Sequence, residues 1–381
     1  MDCLIWKEVN SMTEQEYRVH FQAVQNKKIK LLILDNNDIA IDEIEGYAID
    51  GNVDVDANSS IRRTCNIKMV LNSKLFPSIS SPIWLNKRFK LLIGIKDILT
   101  DEYIFFDWGI YSISNPTVDI QISENTINIR GYDKSCFLDG TISGYLENIV
   151  RIPVEVPIHE AIRETAITNG GETKLLIDTH EYTTPYEIEK QPNDTVWDLL
   201  DELTKLYMNY ELYYDVNGYL RFNKVKNMLN DSVIFNFEND DLINAKQLDI
   251  DFNNIKNHIV VYGRLREDGL QVKAEKSITD EYNPLSPFTI EKIGKRNLVI
   301  IEDKYFTDEQ CQIRAEYEEW KHTNFNEKIT ITCVPILFLD VNKLIEVNSS
   351  KYNISGKYII ENLSLGLKYD SIMTITAWKI Y

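Results

Sequence analysis

Thr126-Ile127-Asn128-Ile129-Arg130-Gly131-Tyr132 alternates with a period of two. Ile127, Ile129 and Gly131 fall on one side and Asn128 and Arg130 on the other, the pattern of a strand with one face in a core. Near the C-terminus, Asp370-Ser371-Ile372-Met373-Thr374-Ile375-Thr376-Ala377-Trp378 alternates in the same way. Outward from these two runs, short stretches rich in Val, Ile, Tyr and Phe recur along the chain, punctuated by Asn, Asp, Ser and Gly. The expected fold is mainly β with an α+β insert.

Turn and cap chemistry divides the chain. Asn217-Gly218 between Tyr210–Asp215 and Tyr219–Phe222 predicts a hairpin, as does Asp268-Gly269 between His258–Arg266 and Leu270–Glu275. Ser349-Ser350 between Ile345–Asn348 and Tyr352–Ile354 is a weaker case. Four helices interrupt the strands. The first has Thr13 and Glu16 as a capping box, with Tyr17, Phe21 and Val24 on one face. The second starts at Pro157, carries Ile158, Ala161, Ile162 and Ala166, and stops at Asn169-Gly170-Gly171. The third starts at Thr195, with Asp198 three residues on, and buries Val196, Leu199, Leu200, Leu203 and Leu206. The fourth starts at Thr307 with Gln310 and presents Ile313, Tyr317 and Trp320. Three blocks are expected: 1–145, a β domain with an N-terminal helix; 146–225, a small α/β domain; and 226–381, a second β domain with an inserted helix at 307–323. Two to three domains also suit 381 residues.

Charge excludes one class. With 41 basic and 59 acidic side chains the net charge is −18, which opposes gripping a nucleic-acid backbone but not letting one pass. The five cysteines (Cys3, Cys65, Cys136, Cys311, Cys333) are widely spaced with no CxxC pair, so they read as reduced thiols in a protein made in the cytoplasm. The N-terminal MDCLIWKEVNS is no secretory signal. The apolar runs within Lys30–Leu34 and Phe89–Ile95 are too short to span a membrane.

Candidate chemistry fails position by position. His159-Glu160-Ala161-Ile162-Arg163 opens like a zinc-protease helix, but Arg163 replaces the second His. Glu160 then reads as a first-turn acid on a helix. Asp35-Asn36-Asn37-Asp38 lacks the spacing of a calcium loop and reads as a polar turn. Asp50-Gly51-Asn52-Val53-Asp54-Val55-Asp56 reads as a solvated edge strand or loop. No nucleophile elbow, P-loop or dinucleotide fingerprint occurs; Gly294-Lys295-Arg296 lacks the rest of a phosphate loop. Tyr207, Tyr210, Tyr213, Tyr214 and Tyr219 read as core and subunit contact rather than a sugar platform. Arg62-Arg63 is a basic pair in an acidic chain, suited to an intersubunit salt bridge. No catalytic, cofactor-binding or metal-binding residue is nominated, no cofactor is expected, and the expected role is structural rather than enzymatic.

Four stretches carry a family resemblance. They are Ser60–Ile67; Ile129–Gly140; Thr195–Leu203 with Tyr210–Asp215 and Gly218–Phe222; and Leu339–Asn342 with Tyr358–Leu363. In order and spacing the chain resembles the tail or baseplate hub proteins of tailed bacteriophages, including the N-terminal hub part of tail-associated lysins of Gram-positive phages. The resemblance implies two tube-like β-barrel or sandwich domains, each with a helix. It also implies a homotrimeric ring joining the hexameric tail tube to a distal spike or fibre, with a central channel for DNA. Implied partners are further copies of the chain, the tail tube or distal tail protein, the tape measure protein, a spike, fibre or cell-wall hydrolase, and DNA passing without specific binding. The implied location is the virion tail, with no membrane insertion. Because the sequence stops at Trp378-Lys379-Ile380-Tyr381 without a downstream peptidase, a plain hub is expected. The alternatives are a tail-tip cell-wall hydrolase and a carbohydrate-binding receptor module.

Overall fold

The computed structural model describes residues 12–20, 26–85, 87–121, 125–207, 210–224, 231–247, 252–266, 268–324 and 327–380. Helix α1 (Glu14–His20) begins with the expected capping box. The Thr13 hydroxyl accepts from the Glu16 N–H at 3.3 Å, and the Glu16 carboxylate accepts from the Thr13 N–H at 2.8 Å. Tyr17 is buried; Phe21 and Val24 lie outside the described residues.

Seven strands follow: β1 (Lys27–Leu34), β2 (Ala40–Gly46), β3 (Asp50–Asp56), β4 (Arg63–Val70), β5 (Arg88–Lys96), β6 (Tyr103–Ile120) and β7 (Asn125–Tyr132). Their alternation is what folds them. Ile29, Leu31 and Ile33 of β1 are fully buried, as are Ile127 and Ile129 of β7, each contributing about 1.5–3 kcal/mol of burial. Gly131 leaves room for Cys65 and Tyr111, since a Cβ there would sit 2.8 Å from both side chains.

A small α/β unit comes next: β8 (Val150–Ile152), α2 (Ile158–Thr168), β9 (Leu175–Ile177), β10 (Ile188–Lys190), α3 (Val196–Lys205), β11 (Tyr210–Tyr214) and β12 (Leu220–Lys224). Pro157 is the N-cap of α2 rather than its first residue, and Gly171 beyond its end has φ +64°. In α3, Thr195 and Asp198 form a reciprocal capping box. Val196, Leu199, Leu200 and Leu203 are buried against Ile158, Ala161 and Ile162 of α2. The Asn217-Gly218 turn joins β11 to β12 in antiparallel register, and Gly218 has φ +74°.

The remainder forms β13 (Phe235–Phe237), β14 (Leu242–Gln247), β15 (His258–Leu265), β16 (Gln271–Ser277), α4 (Ile290–Ile293), β17 (Asn297–Ile301), α5 (Asp308–Asn324), β18 (Lys328–Cys333), β19 (Leu344–Ser349), β20 (Ile354–Gly366) and β21 (Met373–Ile380). Both other predicted turns are present, between β15 and β16 and between β19 and β20. Strands β16, β15 and β17 make a separate small sheet, which α5 covers with Cys311 and Ala315.

The seven strands before the α/β unit and six of those after it, β13, β14 and β18–β21, belong to one sheet of thirteen. Its main path runs β14-β18-β21-β20-β3-β4-β7-β6-β5-β1-β2. The link is the antiparallel pair β3–β20, from Asn362 opposite Asp56 to Gly366 opposite Asn52. One hydrophobic cluster runs through both parts, from Ile29 and Phe89 to Ile331 and Ile375. The architecture is mainly β with a helical insert.

One expectation about the strands is corrected here. Residues 50–56 form a central strand, not an edge: Val53 and Val55 are buried, while the Asp54 carboxylate accepts from the Ser364 hydroxyl at 2.6 Å. Helix α5 buries Gln310, Cys311, Ala315 and Glu318; Ile313, Tyr317 and Trp320 lie on its half-buried side. Cys311 and Ala315 are the α5 residues that pack into the apolar cluster of the small sheet.

Candidate functional site

The seat of the α/β unit on the large sheet is made of buried charge. Arg63 is 2% exposed. Its backbone N–H donates to Asp133 at 2.8 Å, Nη1 donates to the Tyr214 carbonyl at 2.9 Å, and Nη2 pairs with Asp340. Although burial disfavours the charge, Asp340 holds the guanidinium pKa above its ordinary value. Lys134 reaches Glu172 at 2.8 Å, Asp38 at 3.3 Å and the Gly218 carbonyl at 3.1 Å. Asp38 also receives Arg88 at 2.8 Å and Lys174 at 3.2 Å. Burial opposes its ionisation, but Lys134, Arg88 and Lys174 keep its carboxyl below the usual range. The Tyr214 hydroxyl donates to Glu172 at 2.8 Å, and burial together with that carboxylate pushes the phenol well up.

The tip of the β11–β12 hairpin locks into this seat. Lys90 bridges Asp107 at 2.7 Å and the Asn217 side chain at 2.9 Å. A Cβ on Gly218 would meet Ile110 at 2.9 Å, so the close approach as well as the positive φ requires glycine there.

Beside the seat lies a cleft of about 770 Å³, bounded by α3, β11, the 57–62 turn, α5 and the paired strands β20 and β21. Half-buried Trp197, Trp320 and Trp378 line it, with Tyr207, Tyr210 and Tyr317. Arg62 closes one end: its guanidinium stacks 3.8 Å from the Tyr213 ring centre and pairs with Glu211 at 2.8 Å. Glu211 also accepts from Asn342 at 2.7 Å and Asn223 at 3.1 Å. Glu361, where the β20–β21 register slips, accepts from Asn58 at 2.8 Å and pairs with Lys328.

Residues 285–381 match a family model described as a domain of unknown function (DUF5048). No curated protein matches the chain. Three solved structures resemble it along nearly its whole length. The 43 kDa tail protein of prophage MuSo2 from Shewanella oneidensis has a TM-score of 0.62 at 13% identity, over 92% of this chain and 98% of that one. A tail protein from Neisseria meningitidis MC58 has a TM-score of 0.64 at 10% identity, over 92% and 96%. Prophage tail protein gp18 from Listeria monocytogenes EGD-e has a TM-score of 0.57 at 13% identity, over 92% and 94%. The fold is that of phage tail proteins.

Within this tail-protein fold, the four stretches that carry the sequence resemblance converge on the seat and the cleft. The first brings Arg62 and Arg63, the second Asp133 and Lys134, the third Glu211 and Tyr214, and the last Asp340, Asn342 and Glu361. Arg62-Arg63 is therefore corrected from an intersubunit bridge to a bridge between parts of one chain. Asp35–Asp38 is the polar turn expected, but its role in holding Lys134 and Arg88 is not visible in the sequence.

The remaining candidates behave as structure. His159 Nδ1 accepts from the His180 N–H at 3.2 Å, and Glu160 is a first-turn acid of α2. His180 is buried 4.2 Å from the Tyr210 ring, and burial lowers its pKa to about 4, so it packs as a neutral ring. Tyr182 stacks on Tyr207 at 4.4 Å and Tyr210 on Phe222 at 5.0 Å. These tyrosines therefore pack largely against aromatic neighbours in their own chain. Cys65, Cys136, Cys311 and Cys333 are buried free thiols, and burial pushes Cys311 up to about 11. Cys3 lies outside the described residues. Among the described residues no group of three His, Cys, Asp or Glu is placed to hold a metal. No described helix is long and apolar enough to cross a membrane.

Proposed function

We propose that this chain is the structural hub of a phage tail or tail-like particle. Three copies form a ring that joins the hexameric tail tube to a distal spike or fibre and leaves a central channel for DNA. The observation that carries this reading is the β3–β20 ladder, which fuses the two strand-rich parts into one sheet. A rigid chain with two such parts gives six in a trimer, the number a hexameric tube presents. Ring closure also covers the strands at the two ends of the sheet's main path, β2 and β14. In this reading the blocks are 1–145, 146–225 and 226–381, the outer two face the tube, and the α/β unit sits between them. The tape measure protein and a spike, fibre or wall hydrolase are its neighbours in the virion tail. Its work is symmetry matching rather than catalysis, and the charge of −18 lets DNA slide past without sticking.

Light scattering across a concentration series, with electron micrographs of the same sample, tests this reading. The expected result is a mass three times that of the chain and threefold rings with a central hole. A stable dimer, or a closed assembly without a hole, would overturn it.

A further inference from the structure

We propose that the cleft between α3, α5 and the paired strands β20 and β21 binds a neutral oligosaccharide. Its lining joins two features that rarely meet by accident in one concavity. One is aromatic: three of the chain's six tryptophans stand on it, each half-buried. The other is a set of planar polar side chains held in place by neighbours. The Asn342 amide is fixed on Glu211, the Asn58 amide on Glu361, and the Arg62 guanidinium on both Glu211 and the face of Tyr213. Flat apolar walls with a few oriented amides, carboxylates and guanidinium groups make a site for small molecules with one apolar face and many hydroxyls. The volume of about 770 Å³ lies within the range of such sites.

Charge selects among ligands with a flat face. Among the described residues the lining holds four cations (Arg62, Lys205, Arg314, Lys321) and four carboxylates (Asp201, Glu211, Glu318, Glu361). Three of these carboxylates pair with cations of the same cleft: Glu211 with Arg62, Asp201 with Lys205 and Glu318 with Arg314, at 2.6–2.8 Å. Glu361 pairs with Lys328. With equal numbers of opposite charges on its wall and most of them paired, the cleft offers a charged ligand little net attraction. Single-stranded nucleic acid, which also stacks on aromatic rings, needs a cationic groove to follow its backbone. It meets instead a neutral cleft in a chain of charge −18. A neutral, hydroxyl-rich saccharide fits both constraints. The site adjoins the end of the β3–β20 ladder, where the Ala57 N–H donates to the Glu361 carbonyl at 3.0 Å, but sugar titration reads the cleft and the mass measurement reads the hub, so failure of one is distinguishable from failure of the other.

The test is calorimetric titration of the full chain with chitotetraose, cellotetraose and maltotetraose, each to about 10 mM. At least one should bind saturably, and a (dT)₁₂ oligonucleotide should neither bind nor compete. Trp320→Ala and Trp197→Ala should each weaken binding about tenfold or more. Ser59→Trp, which fills the cleft from its exposed rim without touching a buried group, should abolish binding while leaving the melting temperature of the parent. No saturable heat with any of the three sugars overturns the proposal. So does binding that persists unchanged in Ser59→Trp.

Discussion

Inside the α/β unit, Ile162, Leu199, Leu200, Leu203 and Phe222 are wholly buried hydrocarbon. At the seat of the same unit on the large sheet, Arg63, Lys134, Asp38 and Glu172 are buried as paired charges. Hydrocarbon contact is strong but non-directional, so it stabilises without fixing an angle. A buried ion pair gives little net stability against an apolar pair of the same size, yet it holds only in one geometry. We infer that the unit folds on its apolar core and is oriented by its charged seat.

The comparison can be broken first at the core. Leu203→Asp places an unpaired carboxylate among α2 and α3 and should destabilise the unit by about 5 kcal/mol, enough to unfold it. Loss of helical circular dichroism and protease cleavage within 146–225 would show this. A variant as stable as the parent would mean that α3 is not the core helix. The seat comes next. Arg63→Ala leaves Asp340 and the Tyr214 carbonyl without their donor and should cost about 3 kcal/mol. The double variant Arg63→Met with Asp340→Leu should recover most of that loss in urea unfolding. If it recovers none, the seat serves stability more than orientation.

Two smaller effects sharpen the contrast. Thr195→Ala removes the α3 cap and should cost about 1 kcal/mol, by the same measurement. Lys27, 2% exposed, donates to the Gly366 carbonyl at 3.0 Å and the Ser371 hydroxyl at 2.9 Å, and the Asp370 carboxylate only partly offsets its burial. Burial lowers its pKa from 10.5 to about 8. Below pH 8 both folded and unfolded forms carry the proton and the burial penalty is complete. Between pH 8 and 10.5 the folded form has released the proton that the unfolded chain still binds, so this group makes stability rise with pH. Lys27→Met should flatten that part of the curve of unfolding free energy against pH, relative to the parent.

Local chemistry was legible in the sequence because local rules settle it. The periods of β7 and β21, the Asn217-Gly218 turn and the Thr195–Asp198 cap all depend on residues within one element. What was not legible depends on partners far along the chain. Arg63 and Asp340 are 277 residues apart, and Arg63 shows in the sequence only as half of a basic pair. Asp38 looks like any turn aspartate until β5, the 134 region and β9 arrive around it. Which face of α5 meets the small sheet was not legible either: the helix packs there through Cys311 and Ala315 and turns Tyr317 and Trp320 to the cleft. The cleft itself is built from segments scattered between Ala57 and Trp378, and no one of them has a ligand-binding motif.

The union of β3 with β20 has a consequence for synthesis. Asp54 and Ser364 are 310 residues apart, so at about 5–20 residues per second β3 waits roughly 15–60 s on the ribosome for its partner. Throughout that interval β3, central in the finished sheet, is an open edge. Asp50, Asp54 and Asp56 give it the charge by which permanent edge strands resist pairing with other chains. The composition that reads as an edge in the sequence is thus suited to a strand that is one while the chain is being made, and loses that status only when the last part of the protein emerges.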